Sequence, residues 1–258
     1  MLHTYKQIVS SALDSIPSLQ QILDKAWAQC QYSDKQIAQN LSPVLISLDA
    51  QATDLFHQYE QQAIEHLFLL WAKANKHQIS SLKLSGQDPI YAFAEHYQPL
   101  FIDFASAVQL FEKRVGNMRK ARGGKTFELL LQKCLDSIGI PAEIPKGKEI
   151  RQKLRRIDLV IPDVQTALET PDKSIFLTCK RTLRERWKQE IPQIGPNQTV
   201  YLITIDQELS EQKAQEIQSH NLIAFVPDNL KQQKHAQSSW IRKLSDLPKD
   251  LQQRVGKK

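Results

Sequence analysis

Two charged residues interrupt or end apolar runs in the second half of the chain. Asp158 lies within the run 157–161, and Lys180 ends the run 175–180, 22 positions after Asp158. On adjacent strands of one sheet, their side chains would meet at the same edge. A carboxylate binds a hard divalent cation such as Mg²⁺ through oxygen. The bound metal polarises a phosphate and acidifies a water, and a lysine orients that water or neutralises developing charge. The pair is the minimum for metal-assisted phosphodiester hydrolysis; the alternative is a carboxylate on a half-exposed strand, paired with Arg156.

A metal site needs further acids, and three positions supply candidates. Glu128 is the best of them, because it lies in a predicted helix that follows a cationic, glycine-rich stretch. Glu190 and Gln193 follow Lys180 in or just after a helix predicted over 183–191, which Pro192 would end. We therefore expect Asp158 and Glu128 as metal ligands, with Glu190 or Gln193 completing the site.

Three charged residues follow the lysine at positions four to six after it: Arg184, Glu185 and Arg186. Arginine donates two hydrogen bonds to guanine O6 and N7, and a carboxylate accepts one from cytosine N4. Two arginines flanking one glutamate are therefore a compact reader of neighbouring G·C pairs. A solvated helix start with local ion pairs is the alternative.

Four further cations lie in or near the stretch 116–126, "GNMRKARGGKT", which we predict to be a loop. Its glycines would let the backbone approach a phosphate closely. The four are candidate DNA-backbone contacts: Arg119, Lys120, Arg122 and Lys125. A nucleotide-binding P-loop is excluded, because Arg119 stands where its first glycine should be. The basic segment 145–156 is either another backbone-contacting loop or strand, or a solvated turn.

These residues must be positioned by two kinds of structure. Residues 1–115 show helical periodicity, with the stretches 16–30 and 61–75 each placing apolar residues on one face, and Ser18 as a cap for the first. From residue 116 onward, β-type runs at 155–163, 174–180, 199–206 and 222–229 alternate with helices, one of them over 208–221 with Ser210 as its cap. The order predicts an α/β fold, with a mixed central sheet flanked by helices in residues 116–258 and an all-helical N-terminal lobe in residues 1–115.

Charge is distributed unevenly along the chain. Residues 1–100 hold 6 cations and 9 acids, whereas residues 101–258 hold 28 cations and 19 acids. The imbalance suits a C-terminal part that meets a polyanion, and a merely soluble basic surface fits it equally well. No apolar run is long enough to cross a membrane, and the N-terminus lacks the pattern of a secretory signal. Three cysteines without metal-ligand spacing favour a cytoplasmic protein.

These residues belong to three sequence elements that together resemble a known protein family. The matching elements are Arg122-Gly123-Gly124-Lys125-Thr126-Phe127-Glu128, Arg156-Ile157-Asp158, and Cys179-Lys180-Arg181-Thr182-Leu183-Arg184-Glu185-Arg186-Trp187. Over about residues 119–230 the chain resembles the PD-(D/E)XK nucleases. More narrowly, it resembles type II restriction endonucleases of the EcoRII, PspGI and SsoII group, whose sites contain CC and GG halves.

The resemblance implies a restriction-endonuclease-like fold and Mg²⁺-dependent cleavage of double-stranded DNA at a palindrome of the CCGG, CCNGG or CCWGG type. It also implies a homodimer and functional pairing with a cognate DNA methyltransferase. Asp158 and Lys180 would be catalytic, and Arg184, Glu185 and Arg186 would read the bases. Thr178 stands where this superfamily usually has an acid, and Gln193 aligns with the acid that this group supplies instead.

Three outcomes stay open at that position. Glu190 substitutes for the acid, or Gln193 binds the metal through its carbonyl, or the site has lost activity. Two rival functions follow. One is a DNA-binding protein that keeps the base-contacting residues but has lost cleavage activity. The other is a repair or structure-specific nuclease of the same superfamily.

Overall fold

The computed structural model describes residues 5–77, 89–183 and 198–255, with the side chains of 89–97 left out. Its helices are α1 (Tyr5–Leu13), α2 (Leu19–Cys30), α3 (Asp34–Gln39), α4 (Leu41–Ala74), α5 (Pro89–Ser137), α6 (Lys148–Lys153), α7 (Val164–Glu169), α8 (Glu211–Ser219), α9 (Asp228–Lys234) and α10 (Leu247–Val255). Its strands are β1 (Leu159–Ile161), β2 (Ile175–Lys180), β3 (Thr199–Thr204), β4 (Ile223–Val226) and β5 (Ile241–Lys243). None of the helices in these ranges is both long enough and apolar enough to cross a membrane.

The five strands form one sheet in the order β1-β2-β3-β4-β5. β1 runs antiparallel to β2, and the other three pairs are parallel. The predicted mixed sheet flanked by helices is therefore confirmed. β2 and β3 are buried along almost their whole length, which explains why both are continuous apolar runs in the sequence.

One hydrophobic cluster packs the sheet against its flanking helices. It includes Phe176 from β2, Leu202 from β3 and Ile217 from α8, and it extends to Leu183, which follows β2. The polar helix α8 begins where predicted, because the Ser210 hydroxyl accepts a hydrogen bond from the Lys213 backbone N–H. The cluster thus fixes the position of both the sheet and the short segment that leaves its β2 edge.

The chain divides into two compact units. One comprises Met1–Asp24 with Ala52–Arg122, and the other comprises Lys25–Gln51 with Gly123–Lys258 and includes the sheet. Residues 25–51 therefore pack in the same unit as the sheet. The functional division that the sequence suggests at residue 115 stays a prediction.

The glycine-rich stretch 116–126 is helical, so the predicted loop is wrong. It lies inside α5, where Val115 on one side and Phe127 on the other are both completely buried. A Cβ added at Gly116, Gly123 or Gly124 would meet nothing within 4 Å. Three glycines cost roughly 1 kcal/mol each in a helix, and burial of the flanking apolar residues offsets that cost.

Two further predictions fail in the second unit. Segment 145–156 contains the helix α6, which we expected to be a loop or strand. The strand at 222–229 is also not the last one, because β5 adds a fifth strand that pairs in parallel with β4. β5 has three residues, of which only Ile241 is buried, and is too short to show a hydrophobic alternation.

Candidate active site

Asp158 directly precedes β1, and Lys180 ends β2, the strand that pairs with β1. Because the two strands are antiparallel, the start of β1 lies beside the end of β2, and the Asp158 backbone N–H donates a hydrogen bond of 2.9 Å to the Leu177 carbonyl of β2. Residues two apart along a strand point to the same face of the sheet, so Thr178 and Lys180 share one face. The catalytic roles of Asp158 and Lys180 stay a prediction.

Two groups of β2 hold the Asp158 carboxylate. Its Oδ2 accepts a hydrogen bond of 2.7 Å from the Cys179 backbone N–H, and the Thr178 hydroxyl lies 3.5 Å from the same oxygen. A carboxylate has about four acceptor positions, so these contacts fix its orientation while leaving it able to bind another ligand. Thr178, which occupies the usual position of an acid, is buried and polar.

The third member of the cluster comes from α5. Glu128 accepts a salt bridge from Lys125, with Lys125 Nζ 2.8 Å from Glu128 Oε2. The side chain of Glu128 is 18% exposed and that of Lys125 is 34% exposed. The pair stands one helical turn apart, in the spacing at which opposite charges meet on a helix face.

Burial and the surrounding charges set the pKa of Asp158. It lies at about 6, above the usual 3.8, mainly because the carboxyl is buried; the Cys179 N–H lowers the pKa and the charge of Glu128 raises it. The ammonium groups of Lys180 and Lys125 act in the opposite direction. Asp158, Glu128, Lys180 and Lys125 consequently form one electrostatic cluster. Sequence reasoning named the first three as catalytic and gave Lys125 a different task.

The donor set fits a hard divalent cation. Two carboxylates near each other, one of them disfavoured as an anion by burial, gain from a cation bound between their oxygens. The described residues contain no group of three or more His, Cys, Asp or Glu that could hold a metal ion. Both candidates for a further ligand, Glu190 and Gln193, lie outside the described residues. Asp158 and Glu128 would thus supply the protein oxygens that the described part of the chain offers.

Comparison with known proteins identifies the family. The sequence model of the family described as EcoRII C terminal matches residues 91–247, more than half of the chain. The chain belongs to the EcoRII C-terminal family. The predicted membership in the EcoRII, PspGI and SsoII group is thereby confirmed.

Individual relatives agree with the family. The type II restriction enzyme SsoII of Shigella sonnei is 30% identical over 138 residues, which are 50% of this chain and 45% of that enzyme. The match therefore spans less than half the length of this curated relative. Metal-depleted Ecl18kI in complex with uncleaved DNA has a TM-score of 0.71 at 21% identity, covering 98% of this chain and 84% of that one. The complex of restriction endonuclease PspGI with substrate DNA has a TM-score of 0.66 at 20% identity, covering 96% of each chain. These two structures show that the fold is shared.

The candidate base readers of this EcoRII-family chain, Arg184, Glu185 and Arg186, lie outside the described residues. The residues that lead to them are described, and they make contacts that sequence reasoning missed. Arg181 forms a salt bridge with Asp49, and both backbone polar groups of Leu183 bond to side chains. One signal could have pointed to a partner of Leu183. Asp206 directly follows the apolar run of β3, just as Lys180 ends that of β2.

Three of the four candidate DNA-backbone cations have intramolecular partners, and Arg119 and Arg122 bind theirs within the helical unit. Arg119 Nε lies 2.7 Å from Glu60 Oε1. Arg122 donates a hydrogen bond of 2.9 Å to the Pro17 carbonyl and stacks on Phe56, with its guanidinium carbon 4.6 Å from the ring centroid. Burial lowers the pKa of Arg122. These contacts stabilise the helical unit, and a role in DNA binding for Arg119 and Arg122 stays a prediction.

The other two cations differ from each other. Lys120 is exposed on α5, which suits a side chain that reaches a phosphate. Lys125 is half-buried against Glu128 and acts on the Asp158 carboxylate. Lys125 therefore belongs to the candidate active site by its contacts, whatever else it binds.

Proposed function

We propose that the chain is a type II restriction endonuclease. It would hydrolyse double-stranded DNA in a Mg²⁺-dependent reaction, at a palindromic site with CC and GG halves, leaving a 5′-phosphate and a 3′-hydroxyl. The observation that carries the proposal is the grouping of Asp158, Glu128 and Lys180 at one edge of a mixed sheet in a chain of the EcoRII C-terminal family.

Each residue of the cluster has a task in this reaction. Asp158 and Glu128 would hold the metal, which would polarise the scissile phosphate and acidify the attacking water. The Cys179 N–H and the Thr178 hydroxyl fix the orientation of the Asp158 carboxylate. Lys180 orients the water and neutralises charge that develops on the phosphate. Lys125 holds Glu128 in place through their salt bridge.

Base reading would fall to Arg184, Glu185 and Arg186. Arg184 stands four residues after Lys180 and Arg186 six residues after it, so an extended chain places their Cα atoms no more than about 14 Å and about 22 Å from that of Lys180. Each good bidentate contact between a side chain and a base discriminates by about 1–3 kcal/mol. Their closeness to Lys180 would couple recognition of the site to its cleavage.

Digestion of plasmid DNA in the presence of Mg²⁺ tests the proposal. The wild-type protein should give discrete fragments, and Lys180→Ala should lose cleavage by at least about 100-fold while still binding the same DNA. Lys173→Ala is the matched control, because Lys173 is an exposed lysine that precedes the other end of the same strand. Cleavage that survives in Lys180→Ala would refute the site assignment.

A second function is favoured by one feature of the sequence. Thr178 and Gln193 are both neutral where related nucleases have acids, which suits a sequence-specific DNA-binding protein without catalysis. A gel shift on DNA that is never cut, at any Mg²⁺ or Mn²⁺ concentration, would support that alternative. Ragged cleavage without a common sequence would instead support a repair or structure-specific nuclease, and it would remove Arg184 and Arg186 as base readers.

The proposed activity implies partners and a location. A palindromic target suits a twofold dimer with one active site for each strand, and the helical residues 1–115 would supply dimer contacts. A cognate DNA methyltransferase would protect the host's own sites. The enzyme would act in the cytoplasm, in agreement with its three free cysteines. Analytical ultracentrifugation with and without site-containing DNA tests the dimer.

A further inference from the structure

Leu183 is held at three points, immediately before the candidate base readers. Its backbone N–H donates a hydrogen bond of 2.6 Å to Asp206 Oδ2, and its carbonyl accepts one of 2.6 Å from Lys213 Nζ. Its side chain is 2% exposed and packs in the hydrophobic cluster of the sheet. Within the described residues, no strand or helix pairs these backbone groups, because β2 has ended at Lys180.

Local hydrogen bonds also fix Asp206, whose side chain accepts the bond from the Leu183 N–H. The Oδ1 of Asp206 accepts a hydrogen bond of 3.1 Å from the Glu208 N–H, and the Asp206 N–H donates one of 3.0 Å to the Thr204 hydroxyl. Asp206 thus sits in a small hydrogen-bonded turn at the end of β3. Lys213 belongs to α8, which packs on the same cluster as Leu183.

The other end of this short segment is also clamped. Arg181, the residue after Lys180, forms a salt bridge with Asp49 in which Nη2 and Nε lie 2.6 and 2.8 Å from Oδ2. Asp49 is 5% exposed. Charge-assisted hydrogen bonds of this length are roughly twice as strong as neutral ones. Residues 181–183, which join the candidate catalytic lysine to the candidate readers, are therefore held by side chains of other elements at both ends.

We propose that Asp206 and Lys213 are positioning residues that set the register of the base-reading segment against the catalytic lysine. The inference rests on the proposed function and adds to it. A bidentate contact to a base tolerates displacements of only a fraction of an ångström. A segment released at Leu183 would keep its arginines but lose their alignment with the cutting site.

The test compares two lysines, Lys213 and Lys231, whose ammonium groups both donate hydrogen bonds to backbone carbonyls. Lys213→Met removes the donor to the Leu183 carbonyl. Lys231→Met is the matched control, since Lys231 is also half-buried and donates to backbone carbonyls, those of His235, Ala236 and Ser238. Lys213→Arg keeps a cationic donor and should rescue. Asp206→Ala removes the acceptor for the Leu183 N–H and is the second, independent variant.

The decisive quantity is the ratio of cleavage rates, kcat/KM, on the cognate site and on a site with one G·C pair changed. Lys213→Met and Asp206→Ala should each lower this ratio by about tenfold, which is near the smaller value of a single bidentate base contact. Lys231→Met and Lys213→Arg should leave it unchanged. A merely structural role would lower activity on both sites equally and keep the ratio, and that result would overturn the proposal.

Hydrogen exchange of the Leu183 amide gives a readout that needs no activity. Exchange of this amide should accelerate in Asp206→Ala and stay slow in Lys231→Met. Slow exchange in Asp206→Ala would show that the hydrogen bond to Asp206 does not hold Leu183, and would refute the proposal. If the wild-type protein neither cuts nor discriminates between sites although its Leu183 amide is protected, then the proposed function fails and the positioning role fails with it. If the wild type discriminates and Lys213→Met does so equally well, only the positioning role fails.

Discussion

The salt bridge between Arg181 and Asp49 allows the most quantitative prediction about stability. The Asp49 carboxylate is 5% exposed, and burial raises its pKa above 3.8, although the charge and hydrogen bonds of Arg181 lower it. The Arg181 side chain is 37% exposed, so it loses little on becoming unpaired. Most of the free-energy cost of breaking the pair therefore comes from the buried Asp49 carboxylate.

Arg181→Met should destabilise the folded chain by about 3 kcal/mol at pH 7.5, because it leaves a buried carboxylate without its cation. Adding Asp49→Ala to that variant should recover about 2 kcal/mol, because the unsatisfied charge is then gone. The double variant should thus be more stable than Arg181→Met alone. This order of stabilities is the opposite of what two independent contacts would give.

The pH dependence has a definite sign. The pKa of Asp49 is higher in the folded chain than in the unfolded chain, so the folded state takes up the proton first as the pH falls. The carboxyl therefore destabilises the folded state most at high pH, and less as the pH falls through the folded pKa. The stability gap between Arg181→Met and the double variant should shrink from pH 7.5 to pH 5.

Urea denaturation followed by far-ultraviolet circular dichroism at the two pH values measures these free energies. Comparing the two variants removes the titration of all other groups, since they differ only at Asp49. A gap that does not change with pH, or an Arg181→Met variant as stable as the wild type, would refute the assignment of the buried charge.

Two further predictions concern thiols and DNA contacts. Burial raises the pKa of the Cys134 thiol to about 12 and that of Cys179 well above 9.0. A thiol reagent at pH 8 should therefore modify only Cys30 in the folded chain, and all three thiols in urea. Fast labelling of more than one thiol in the folded chain would contradict the burial of Cys134 and Cys179. Lys120→Ala should reduce the slope of log K against log salt for DNA binding by about 1 and leave the melting temperature unchanged. Arg122→Met should instead lower the melting temperature by roughly 2–4 °C, and a change confined to DNA affinity would make Arg122 a phosphate contact.

The sequence predicts the closeness of Asp158 to the β2 strand that ends at Lys180 better than it predicts the elements around them. Asp158 and Lys180 are conspicuous because charge inside or at the end of a buried strand is costly without a purpose. Pairing of two successive strands then brings them to one edge. Glu128 is harder to place, because only the tertiary fold sets a helix residue against a strand end. Its charge raises the pKa of Asp158, and its role as a metal ligand stays a prediction.

The predictions that failed share a physical cause, which is that local signals were outweighed by burial. The glycines at 123 and 124 favour a loop locally, but α5 continues through them because Phe127 and its neighbours need a buried helical face. Contacts distant in sequence left no local signal at all. Asp49 and Arg181 are 132 positions apart, and neither residue type reveals the other.

The measurement that tests the central proposal most directly is sequencing the ends produced when plasmid DNA is digested in Mg²⁺. Every end should fall at the same position within one palindromic sequence whose halves contain CC and GG. Lys180→Ala should yield no such ends, and Lys173→Ala should yield them normally. Intact plasmid with the wild-type protein, or ends that share no sequence, would contradict it.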